Sequence, residues 1–395
     1  MASDPRDASV AKGASRSWAA DFGSFDGRIW LNTAHQGALP NAAAVELERA
    51  LAWKRSPHRI PDEAFTDVPQ RLRVLLARLV GGRPDEIVLG NSASWGLQVI
   101  ANGFSWRPGD EVILVEGDYP PTIHPWLLLA EKGVILRRLQ PAGPIIQSDE
   151  LAGHLNDRTR LVCTGWVNTY TGHVLDVVAM ARVCAERGTH LILNGTQGIG
   201  ALPIDAPGSG VSAISASGFK WLCGPYATGF AWIRPDLLAE LRPFLSYWLA
   251  LPEDTALDLN VGAEPQLAEG LGTRAFDIFG TANFFNFMPW IAALEYLLSV
   301  GLATIAEHDQ RLVEHLRSHI DPARYEWVSS MDPGRRSAIV ALDAGEPATN
   351  MKAFDRLAAE GIDVALRAGR IRVSPHLYNS IADIDALLTV LHDGR

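Results

Sequence analysis

The sequence predicts an α/β protein with a mostly parallel central sheet flanked by helices, plus a smaller α/β domain at the C-terminal end. Two features carry that expectation. From about residue 84, short apolar runs alternate with helix-forming segments, as in a parallel sheet buried on both faces. After about residue 283, two long helical stretches give way to short strands and further helices, the texture of a separate, smaller unit.

Taken in order, DEIVLG reads as a strand followed by a helix from Ser94, DEVILVEG as a strand before a helix near Pro121, and GVILRRLQ as a strand before a helix near Ser148. TRLVCTGWV precedes the helical DVVAMARVCAERG, and HLILNG precedes the loop into VSAISAS. Ligands of such sheets bind at the carboxyl ends of strands. Chemically active side chains cluster there: residues 91–94, Asp118 and Tyr119, Asn168, residues 194–197 and residues 217–220. Further on, ANFFNFMPWIAALEYLLSVG and a second helix from Leu302 to about residue 320 lead to YEWVSS, SAIVALDA, a helix near residues 350–360, DVALRAGRIRVSP and a last helix. That ending reads as β-β-α-β-α.

Composition narrows the function classes. With 395 residues, 47% of them hydrophobic, and a mean hydropathy of +0.04, the chain can bury a sizeable core. A net charge of −10 argues against nucleic acid as the main partner, because phosphate binding wants a basic face. No apolar run approaches the roughly 20 residues that cross a bilayer. The opening MASDPRDASVAKGASRSW, residues 1–18, has no apolar core and reads as a flexible tail rather than a secretion signal. Cys163, Cys184 and Cys223 have no metal-ligand spacing and suit reduced thiols, so the expected compartment is the cytoplasm.

One residue is out of place chemically. Lys220, one of only five lysines beside thirty arginines, lies in the apolar ISASGFKWLCGP with no carboxylate close by in sequence. Desolvation disfavours an ammonium ion, and a neutral amine attacks carbonyl carbon, which points to Schiff-base chemistry. The alternative is a lysine whose stem merely crosses apolar surface.

ILNGTQGIGALPIDAPGSGVSAISASGFKWLCGPYATGFAWIRP resembles the core of class V aminotransferase-type enzymes, the fold-type I pyridoxal-phosphate family of cysteine desulfurases, kynureninases and isopenicillin-epimerase-like proteins. The similarity runs from WLNTAHQGALP to RIRVSPHLYNSIADID, nearly the whole chain. It implies an N-terminal segment (19–60) near the small domain and the active-site mouth, a large cofactor-binding domain (61–285) and a small domain (286–395). It also implies pyridoxal 5'-phosphate held on Lys220. Ser92 and Ala93 match the phosphate-binding turn, where free N–H groups and the helix dipole favour an anion. Ser217 matches a further phosphate contact, while Phe219 stands where many desulfurases have a histidine donor. Thr281 in FGTAN matches a residue that reaches the neighbouring subunit's phosphate, which implies a homodimer. Tyr119 matches the ring stacked on the pyridine, and Asn168 and Gln197 match contacts on its hydroxyl side. Arg372, with Arg367 and Arg370 as neighbours, matches the arginine that binds an amino-acid substrate's α-carboxylate. His35 matches a substrate contact at the mouth.

Two departures from the family pattern steer the expected chemistry. Asn194 replaces the usual aspartate that keeps the pyridine nitrogen protonated, which makes amino-group exchange less favourable and leaves open a weakened enzyme or binding scaffold. GIDVALRAGRIRVSPHLYN has no cysteine where desulfurases place a nucleophilic thiol. LRAGRIRVSPHLYN most closely resembles the isopenicillin-epimerase-like branch, which includes carbon–sulfur lyases of lincosamide-type specialised metabolism. The resemblance therefore implies β-elimination of an S-conjugated cysteine, with decarboxylation-coupled oxidative deamination, epimerisation and transamination as alternatives. Trp95, Trp126, Trp166 and Trp248 are candidates to line a large pocket. His315 and His319 have helical spacing but no third ligand, GTQGIG is an incomplete dinucleotide fingerprint, and no GxSxG elbow occurs.

Overall fold

Residues 17–244, 270–280 and 282–393 are described by a computed structural model. Strand β1 (Ile29–Trp30) pairs in parallel with Ile362–Asp363, so the N-terminal segment is tied to the chain's far end. The helix Asn41–Arg55 then lies along the helix Phe284–Val300.

Seven strands form the large sheet: β2 (Ile87–Gly90), β3 (Glu111–Val115), β4 (Ile135–Leu139), β5 (Thr159–Gly165), β6 (His190–Asn194), β7 (Ala213–Ser217) and β8 (Gly229–Ile233). Their order is β2-β8-β7-β6-β5-β3-β4. All run parallel except β8, which is antiparallel to both neighbours. Side chains alternate between two apolar layers. Leu89, Ile113, Val162, Leu193 and Ile214 face one core, while Val88, Val112, Leu161, Ile192 and Ala213 face the other. The outermost strand, β4, is largely uncovered and carries Arg137 and Arg138.

Strand β8 was not anticipated from the sequence. Its GFAWI is an apolar run, but it follows β7 with no helix between, and a short connection returns the chain antiparallel. The return brings Gly229 beside the start of the helix Ala93–Gly103, where a Cβ would lie 2.5 Å from the Ser92 nitrogen. Only glycine permits that approach.

At the C-terminal end, β9 (Glu326–Trp327), β10 (Val340–Asp343), β12 (Ala365–Arg367) and β13 (Arg370–Val373) form an antiparallel sheet in the order β12-β13-β10-β9, and β11 (Ile362–Asp363) is the partner of β1. The expected single strand DVALRAGRIRVSP is therefore three. Ala368 and Gly369 adopt φ of 48° and 77°, a two-residue hairpin turn that pairs Arg367 with Arg370 and Ala365 with Arg372. The helices Leu302–His319, Pro347–Ala359 and Ile381–Asp393 cover this sheet with their own apolar core. Among the described residues, no single helix is long and apolar enough to cross a membrane.

Candidate active site

The carboxyl ends of β2, β5, β6 and β7 open on one cavity of about 430 Å³. At one end stands the helix Ala93–Gly103. Its N-cap residue makes no capping bond with its own side chain, since Ser92 Oγ donates to Asn91 Oδ1 (3.0 Å), while the Ala93 N–H is taken by Ser217 Oγ (3.0 Å). Ser92, Ser94 and Ser217 border the cavity there, so the terminus is open to an anion.

Lys220 follows β7 on a tight turn closed by the Cys223 N–H donating to the Lys220 carbonyl (3.0 Å). The N-terminal segment clamps this turn. Gly37 N–H donates to the Phe219 carbonyl (3.0 Å), and a Cβ on Gly37 would lie 1.9 Å from the Lys220 carbonyl oxygen. The lysine is only 9% exposed, with its Nζ 5.5 Å from the Tyr119 ring centroid and 5.8 Å from that of Phe219. Burial, then the charges of Arg372 and Arg367, lower its pKa from 10.5 to about 7. A substantial fraction of this amine is neutral at neutral pH.

Asn194 ends β6, buried, with Nδ2 donating to Thr122 Oγ1 (3.0 Å) and Oδ1 accepting from the Thr196 N–H (3.1 Å). Asp118 is the one carboxylate bordering the cavity among the described residues. Burial pushes its pKa up against three donors: the Gly165 N–H (2.7 Å), the Thr164 hydroxyl (3.0 Å) and the Tyr119 N–H (3.1 Å). Gln197 also borders the cavity, but its amide hydrogens are committed: Nε2 donates to the Ala34 carbonyl and Thr169 Oγ1 (both 3.0 Å), and Oε1 accepts from Trp221 Nε1 (2.9 Å). One Oε1 lone pair remains for a ligand.

Arg372 on β13 is 2% exposed. Its Nη1 donates to the Thr169 carbonyl (3.0 Å) and Thr169 Oγ1 (3.2 Å), while its buried Nε has no partner among the described residues. Burial and then Arg367 lower its pKa to about 10, which leaves it cationic at neutral pH. A buried guanidinium with an orphaned donor at a cavity wall suits a carboxylate. His35 sits at the exposed rim, and burial of its ring, then Arg367, Arg372 and Lys220, lowers its pKa. Tyr226 stacks on Phe219 with centroids 5.2 Å apart and donates to Gln36 Oε1 (2.5 Å).

Of the residues singled out from sequence, the cavity gathers Ser92, Ala93, Tyr119, Asn194, Gln197, Ser217, Lys220, Arg372 and His35. Asn168 is not among them. Its Oδ1 accepts the N–H groups of Tyr170 (2.9 Å) and Thr171 (3.0 Å), so it shapes a turn, and Thr169 and Tyr170 form the wall instead. Thr281 and Trp248 lie outside the described residues. Of the other candidate tryptophans, Trp126 and Trp166 are buried in the core and Trp95 is half-buried against it: Trp126 bonds the Thr122 carbonyl, Trp95 the Phe276 carbonyl, and Trp166 packs on Gly198, none of them on the cavity. Sequence reasoning passed over Thr122 as a site residue and treated Arg367 only as a neighbour of Arg372, while Thr196 lies within the stretch 194–197 that it marked. The signal for Arg367 was its place beside the hairpin turn.

These residues fit the pyridoxal phosphate that the resemblance implies. The helix terminus with its serines would hold the phosphate, Lys220 the aldehyde carbon, Tyr119 a ring face and Asn194 the ring-nitrogen side. The donor set is the observation that favours the fit: an anion site, an amine with no carboxylate partner among the described residues and an orphaned guanidinium nitrogen share one cavity.

Comparison with known proteins agrees. A model of the family described as aminotransferase class-V matches residues 46–387. A probable cysteine desulfurase of Methanothermobacter thermautotrophicus is 26% identical over 340 residues, covering 82% of this chain and 83% of its own. Isopenicillin N epimerase of Streptomyces clavuligerus is 25% identical over 379 residues, covering 91% and 93%. Among solved structures, a variant of C-DES with glycine covalently linked to its PLP cofactor superposes with a TM-score of 0.86 at 22% identity, over 96% of this chain and 100% of that one. The cystine C–S lyase C-DES with its product cysteine persulfide gives 0.83 at 23% identity, over 93% and 99%. At such identities the structures speak to the fold; the family match speaks to descent, and by it the protein belongs to the class V aminotransferases and works with pyridoxal phosphate.

Proposed function

We propose that the protein is a carbon–sulfur lyase that eliminates the thiol from an S-conjugated cysteine. One observation carries this reading. All three cysteines of the chain are buried and none borders the cavity, so sulfur leaving a substrate meets no protein thiol to receive it. Persulfide formation on the enzyme lacks its nucleophile. The likeness to isopenicillin N epimerase favours a substrate from specialised metabolism over free cysteine.

Bound pyridoxal phosphate supplies the electron-withdrawing ring that makes the substrate Cα–H bond acidic. Arg372 binds the α-carboxylate through its unused donors and so orients Cα. Lys220, with its pKa near 7, takes the Cα proton at Nζ. The Cβ–S bond then breaks with its electron pair leaving on sulfur as a thiolate, which gains a proton. The remaining three-carbon enamine takes up one water and yields pyruvate and ammonia. Tyr119, whose ring lies 5.5 Å from Lys220 Nζ, would cover a face of the bound ring and help to exclude water. Asn194, a neutral carboxamide with Nδ2 already donating to Thr122 Oγ1, would bring no charge to the ring-nitrogen side, which favours a reaction whose leaving group removes the electron pair.

The test is product analysis with a panel of S-substituted L-cysteines. Thiol, pyruvate and ammonia should form in equal amounts without any added keto acid. Dependence on a keto acid would establish transamination instead, and consumption of oxygen with release of carbon dioxide would establish oxidative deamination.

A further inference from the structure

We propose that the substrate's S-linked arm ends in a second carboxylate and that Arg367 receives it, an inference resting on the lyase reading above. The hairpin β12–β13 presents three arginines with three different fates. Arg370 is paired with Asp343 (2.8 Å). Arg372 is buried and tied to Thr169. Arg367 borders the same cavity, is partly exposed, and bonds only to its neighbour's carbonyl, Leu366 (2.9 Å). Among the described residues no carboxylate pairs with it.

The charge around Arg367 is one-sided. Lys220, Arg372 and His35 share the cavity with it, and each is shifted by its positive charge. Asp118, the one acid at this cavity among the described residues, already accepts from three donors. Cofactor phosphate is met by the helix terminus, and an α-carboxylate satisfies Arg372. Arg367 is then a cation left over at the rim, where an arm leaving Cβ would pass.

Register gives the spacing. Arg372 lies opposite Ala365 and Arg367 opposite Arg370, so the two guanidiniums rise from one hairpin face, two residue steps apart. Being on paired strands, they are diagonal neighbours about 7–8 Å apart at the backbone. An S-(2-carboxyethyl) group places its carboxylate six bonds from the α-carboxylate, a comparable reach.

Binding can be read without turnover, from the change in cofactor absorbance of the holoenzyme titrated with S-(2-carboxyethyl)-L-cysteine and with its isosteric amide. The acid should bind about tenfold or more tightly, since a charged partner roughly doubles the strength of such a bond. Added salt should narrow the gap. Arg367→Gln should bring the Kd ratio close to one, whereas Arg370→Gln should retain the wild-type ratio. Equal Kd values in the wild type, a ratio that survives Arg367→Gln, or equal weakening of both ligands in that variant would overturn the proposal. A binding preference without pyruvate formation would sink the lyase reading and leave Arg367's role standing. Turnover of both ligands with equal Kd values would do the reverse.

Discussion

Replacing Lys220 by methionine should make the cofactor-free protein more stable, and by an amount that depends on pH. Methionine keeps the length of the stem and removes the amine. In the unfolded chain the lysine titrates near 10.5, and in the fold it titrates near 7. Between those values the unfolded state binds the extra proton, so wild-type stability must rise with pH across that window. The cost of the buried amine is about 4 kcal/mol at pH 7 and about 2 kcal/mol at pH 9, falling away by pH 10.5. Urea unfolding of both apo-proteins at pH 7, 8 and 9 measures the gap, and subtracting the two curves cancels every group they share. Lys220→Met should lead by up to about 4 kcal/mol at pH 7, narrowing by about 2 kcal/mol at pH 9. A gap that does not change with pH would mean that the amine is not held neutral, and the basis for its nucleophilic role would be lost.

Two further outcomes follow from the same region. Gly37→Ala forces a Cβ onto the Lys220 carbonyl oxygen, a backbone atom that cannot swing aside. It should cost about 1–3 kcal/mol and weaken cofactor retention on dialysis, read as loss of visible absorbance. Behind the lysine turn, His376 Nδ1 lies 3.0 Å from Asp309 Oδ2, with both side chains buried. Against the lowering effect of burial, Asp309 raises His376 to about 10. Its stabilisation is full below about pH 6.5 and fades as pH climbs through 10. Asp309→Asn should therefore lower stability by about 3–5 kcal/mol at pH 6, with the deficit shrinking towards pH 10 in thermal unfolding.

Much of this protein can be read from its chain alone, where chemistry and periodicity are local. The apolar runs name their strands because burial on both faces keeps polar residues to the strand ends, as in IVLG, EVILV and HLILN. Lys220 stands out because an amine in an apolar stretch is anomalous wherever the stretch ends up. Helix Ala93–Gly103 declares an anion site because a serine precedes it directly after a strand.

Only the tertiary structure decided which neighbours converge. Asn168 and Thr169 are adjacent in sequence, yet a turn consumes the first and turns the second towards Arg372. Three arginines within six residues look alike until the Ala368–Gly369 turn sets their register and Asp343 claims one of them. Strand β8 slots between β2 and β7, and Gly37 reaches Lys220 from far along the chain. Composition and period specify which side chains are withdrawn from water, because that depends on each residue and its near neighbours. Which buried groups meet depends on strand register and long-range pairing, and these are set by the packing of the whole fold.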